Sequence, residues 1–111
     1  MNVANTQRQR TTVQIDYGGN KEYFAVRVAG DDMVNAHCPK GAILILRKQR
    51  FAEDGNAIIA LHNGKLRFCF YKTNGKEVYL TAANNNILPV LVQPTDEFII
   101  LGKVCEVRQE F

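Results

Sequence analysis

The sequence is short of most features that would point to a specific chemistry. It has three cysteines, Cys38, Cys69 and Cys105, and the odd count and wide spacing exclude a disulfide framework. No CxxC or HxxxH spacing occurs and His37 and His62 stand alone, so neither a structural zinc nor any other metal or cofactor is expected. No run approaches the roughly 18 apolar residues of a membrane helix, and no charged-then-apolar leader opens the chain. A cytoplasmic protein with no membrane partner is expected. Net charge is only +3, with the basic residues scattered, which supports mild affinity for polyanions and no more. Amphipathic helical periodicity and internal repeats are lacking too.

What remains is a 111-residue chain, enough for one domain with its own core, read as a succession of short strands. Residues 1–12 are polar and aperiodic, and 1–22 are expected to form a flexible arm with a short strand at 12–17. Strands follow at 23–28, 42–46, 57–61, 65–71, 76–80, 90–92 and 98–107. The continuous apolar run AILIL (42–46) suggests burial on both faces. Asn63-Gly64 and Asn74-Gly75 are hairpin signals. The expected fold class is mostly β, a small coiled sheet or partly open barrel.

A two-residue type I′ turn at Asn63-Gly64 sets a register: His62 pairs with Lys65, Ile59 with Phe68, and Ile58 with Cys69. Ile59, Leu61, Leu66, Phe68 and Phe70 then share the core face, while Lys65, Arg67, Cys69 and Tyr71 share the other. Cys38 and Cys105 are expected in the core. Phe68, Phe70, Tyr71 and Tyr79 raise the alternative of a small β-barrel that stacks nucleic-acid bases. Core packing accounts better for Phe68 and Phe70.

In order, a strand ending in Gly30-Asp31-Asp32-Met33, a Gly41-led apolar strand, a hairpin and a closing Glu97-Phe98-Ile99-Ile100-Leu101-Gly102-Lys103-Val104 strand resemble the C-terminal domain of LexA-like repressors, shared by lambda-type phage repressors and UmuD-like proteins. The resemblance spans roughly residues 23–107. It implies a LexA-like domain over 23–111, a serine nucleophile in Gly-Asp-Ser-Met and a lysine base after the hairpin. Here the serine position falls on Asp32 and the lysine position on Cys69, 37 residues later, the family's usual spacing.

Neither replacement suits the dyad. An ionised carboxylate has no proton for a base to remove, and its attack on an amide gives an anhydride that reverts. With the roles reversed, a thiol beside a carboxylate is pushed away from its reactive thiolate. Residues 1–21 also hold no Ala-Gly or Cys-Gly bond of the kind self-cleaving relatives cut. Asp32 and Cys69 are therefore read as vestigial positions, with catalytic residues expected to be absent. Asp31 is read as a turn-former. For Asp32, a surface carboxylate or half of a binding site with Arg67 or Lys65 remain alternatives.

The resemblance further implies a homodimer, with Phe98, Ile99, Ile100, Leu101, Gly102, Lys103 and Val104 at its interface. It implies a repressor of the SOS or phage type whose DNA contact runs through an N-terminal domain outside this chain. A recombinase filament or an antirepressor would be its regulatory partner. An atypical self-cleaving peptidase is the enzyme-class alternative.

Overall fold

The computed structural model describes residues 13–15, 22–29, 40–84 and 86–108. Among them are eight strands and no helix: β1 (Val13–Ile15), β2 (Tyr23–Val28), β3 (Ile43–Lys48), β4 (Ala57–His62), β5 (Lys65–Thr73), β6 (Val78–Thr81), β7 (Val90–Val92) and β8 (Phe98–Arg108). They form one antiparallel sheet in the order β1-β2-β3-β8-β4-β5-β6-β7. The last strand thus inserts between two meanders, β1–β3 and β4–β7. The sheet coils without closing into a barrel. The expected strand at 12–17 is β1, and most of the expected arm lies outside the described residues.

Period-two alternation explains most of these strands, and turn chemistry explains their joints. Asn63 (φ 50°) and Gly64 (φ 82°) both take positive φ, as a type I′ turn requires. The second Asn-Gly behaves differently. Only Gly75 has positive φ there, and Thr73 pairs with Val78 across a four-residue loop. The Asn74 side-chain oxygen accepts the N–H groups of Lys76 and Glu77 at 2.9 Å each, so the returning strand starts at Val78 rather than Lys76.

One face of the sheet gathers Val26, Val28, Leu44, Leu46, Ile59 and Phe68 into a fully buried cluster, with Phe24, Leu66 and Phe70 against it. The opposite face carries a second cluster of Ile58, Ala60, Cys69, Leu80 and Ile100. The expectation of a single core face is therefore corrected. β4 lies between β8 and β5, and its residues Ile58, Ile59 and Ala60 are all buried. The AILIL run is corrected in the other direction. Leu44 and Leu46 are fully buried, while Ile43 and Ile45 are half-buried.

Two register shifts in the pairing of β8, opposite Ile59/Ala60 and opposite Ile45/Leu46, are β-bulges. Leu101 is the extra residue of the first, so Ile100 and Gly102, two apart, pair with Ala60 and Ile59 on opposite faces. Gly102, paired with Ile59, comes so close to β3 and β2 that a Cβ would sit 2.8 Å from both the Arg47 carbonyl oxygen and a Phe24 ring carbon.

Candidate functional site

The β4–β5 hairpin places Cys69 directly opposite Ile58, in the register expected from the turn. Cys69 is 5% exposed, and with Ile58, Ala60, Leu80 and Ile100 it belongs to the second cluster, turned away from Phe68 and Phe70. Above it lies a cavity of about 30 Å³, room for one or two waters, whose walls include Arg67, Thr81, Ile87 and Val90. Leu88, 81% exposed, forms its outer lip.

Two positions along the same face from Cys69, Arg67 meets a polar network that sequence reading missed. His62 is 3% exposed and is the buried polar residue of the described core. Arg67 Nε–H donates to His62 Nδ1 at 3.1 Å. Nε2–H in turn donates to Asp96 Oδ2 at 2.8 Å. Asp96 also accepts the Gln93 N–H at 2.8 Å, and the Phe98 ring meets the imidazole edge-on at 6.1 Å. The His62 bond first, then the Gln93 N–H and the Asn63 side chain, hold the Asp96 carboxyl at about 2, below its usual 3.8.

This network joins the hairpin tip to the β7–β8 loop, helped by reciprocal bonds between Asn63 and Glu97. One signal was available in the sequence. The hairpin register that pairs His62 with Lys65 places Arg67 diagonally across from it on the same face. Nothing local marks Asp96, 34 residues further on.

The other expected site residues divide three ways. Gly30, Asp31, Asp32 and Met33, with His37 and Cys38, lie outside the described residues. Phe98, Ile100, Leu101 and Val104 pack against the two clusters, Gly102 is buried, Lys103 is half-buried, and Ile99 remains 37% exposed. Cys105 contradicts its core assignment. It follows the stretch of β8 shared with β4, is the extra residue of the second bulge, and is exposed. Of the aromatic residues weighed for stacking, Phe68 is 2% exposed, and Phe70 and Tyr71 pack against the clusters. No group of three or more metal-ligating side chains occurs among the described residues.

The chain matches the family described as Peptidase S24-like over residues 2–105. It belongs to the Peptidase S24-like family.

Among curated proteins, this S24-like chain is similar to the LexA repressor of Oleidesulfovibrio alaskensis, 35% identical over 92 residues that cover 83% of the chain and 44% of the relative. It is similar to that of Magnetococcus marinus at 32% over 85 residues, covering 77% and 37%. The LexA repressor of Thermotoga neapolitana gives 30% over 90 residues, covering 81% and 43%. The chain spans less than half the length of these relatives. Among the described residues of this S24-like domain, no helix is long and apolar enough to cross a membrane.

Proposed function

We propose that this S24-like chain is the dimerisation and regulatory domain of a transcriptional repressor and that it does not cleave itself. The observation that carries the reading is Cys69. Where the family resemblance calls for a lysine base, a thiol sits in an apolar cluster under a cavity of about 30 Å³. A thiol there offers no amine to take a hydroxyl proton, and Asp32 at the nucleophile position offers no hydroxyl. Release from DNA then comes from another protein or a ligand.

The test is intact mass after incubation at alkaline pH, and separately with an activated recombinase filament. The expected result is an unchanged mass, and any specific internal fragment would overturn the reading in favour of a self-processing peptidase.

Dimerisation through β8 has two supports. Ile99 is exposed within the 98–104 stretch. Beyond Lys103, β8 is paired with β3 alone among the described residues, so its other edge, including the 39% exposed Val107, is open to a second copy. A two-fold dimer of this kind suits a palindromic operator read by an N-terminal module. Replacing both Ile99 and Val107 with Asp is expected to weaken self-association at least about tenfold in sedimentation equilibrium. A wild-type chain that stays monomeric at high concentration would remove the dimer from the proposal.

A further inference from the structure

The strongest unassigned feature is a basic groove on the side of β3 and β8 remote from the hairpin. Arg47 and Lys103 are direct cross-strand partners, which sets two cations side by side on one face of the sheet. Like charges so placed repel unless an anion lies between them. Together with Lys48, Gln49, Phe51 and Cys105 they line an open groove of about 500 Å³ with no carboxylate in its wall. A second hollow of about 330 Å³, lined by Phe24, Lys48, Gln49, Arg50 and Leu101, shares Lys48 and Gln49 with it.

The loop that shapes the groove is held in place. Gln49 Nε2–H donates to the Phe51 carbonyl at 2.9 Å, and Arg50 Nη1–H to the Ile100 carbonyl at 3.3 Å. Lys48 N–H donates to the Glu22 carbonyl at 2.7 Å. On this fixed loop Phe51 is 68% exposed, whereas the other aromatic residues on the described strands are at most 38% exposed. Phe51 thus shares the wall of the groove with Arg47, Lys48 and Lys103.

We propose that this groove binds single-stranded nucleic acid, with phosphates between Arg47 and Lys103 and along Lys48 and Arg50, and a base stacked on Phe51. The choice follows from two kinds of surface in one place. An acidic peptide satisfies the cations but gives the ring nothing to stack on. A duplex supplies phosphates with its bases already stacked on one another. A single strand supplies both phosphates and open base faces. The inference is independent of whether the chain represses or cleaves.

The experiment is fluorescence anisotropy of a labelled oligo(dT) with the full chain at 50 to 200 mM salt, with a duplex of equal length and a polyglutamate peptide as comparators. Binding of oligo(dT) with a log–log salt slope near −3 is expected, since about four phosphates are contacted at roughly −0.7 each. Phe51→Ala should weaken oligo(dT) binding at least about fivefold and leave duplex binding unchanged. Lys103→Glu should weaken oligo(dT) binding about tenfold or more while keeping the wild-type melting temperature, because an acidic group opposite Arg47 makes a favourable pair. Absence of oligo(dT) binding overturns the proposal. So does binding that survives Lys103→Glu intact, or equal or tighter binding of the duplex or of polyglutamate.

Discussion

Replacing Gly102 with valine should lower the melting temperature by more than any other single change to an exposed or half-exposed strand. A Cβ at this position lies 2.8 Å from the Arg47 carbonyl oxygen, which is backbone and cannot rotate away, and as close to the Phe24 ring. Relief requires β3 and β8 to separate, at the pairing that joins the first meander to the rest of the sheet. Overpacking of this kind costs about 1–3 kcal/mol for alanine and more for a β-branched residue. At roughly 4–8 °C per kcal/mol, alanine should cost around 10 °C and valine at least that. Gly75→Ala is the control. Nothing lies within 4 Å there, only its φ of +94° is lost, and the cost should be about 1 kcal/mol. A Gly102→Ala melting temperature no lower than that of the control would refute the clash.

The second large effect is expected at His62. Its removal leaves a hole at the hairpin tip and takes away the acceptor of Arg67 and the donor to Asp96 together. His62→Ala should cost about 2–4 kcal/mol in urea unfolding near neutral pH. Asp96 adds a pH signature. Its carboxyl is held at about 2, below the usual 3.8, so its contribution is complete above roughly pH 4 and is lost as pH falls towards 2. Stability measured from pH 5 down to pH 2 should fall less steeply in Asp96→Asn, and in His62→Ala, which removes the largest cause of the shift. Parallel pH curves for wild type and Asp96→Asn would show that the network does not carry this acid sensitivity.

The legible part of the site was the part built from neighbours in sequence. Once Asn63-Gly64 was read as a type I′ turn, the Ile58–Cys69 and His62–Lys65 pairs followed, and both are present. The dyad reading rested on a longer count, 37 residues from Asp32 to Cys69. Cys69 is buried on the face that the hairpin register assigned to it, and Asp32 falls outside the described residues. Cys105 was misplaced because its apolar neighbours suggested a core, whereas exposure depended on where β4 stops pairing with β8. Phe51 was passed over inside a polar loop, where composition carries no sign of which ring will stay in water.

By itself, then, the sequence determined the β class, the strand boundaries to within a few residues and the hairpin register. All three arise from period-two alternation and turn chemistry that act over a handful of neighbouring residues. Tertiary structure alone decided that β8 would enter between β3 and β4 and that both faces of β4 would be buried. It also brought Asp96 to His62, and set Arg47 beside Lys103. Each depends on segments that meet across roughly 35 to 65 residues of chain, where the pairing is chosen by the packing of the whole sheet and by two bulges that shift its register.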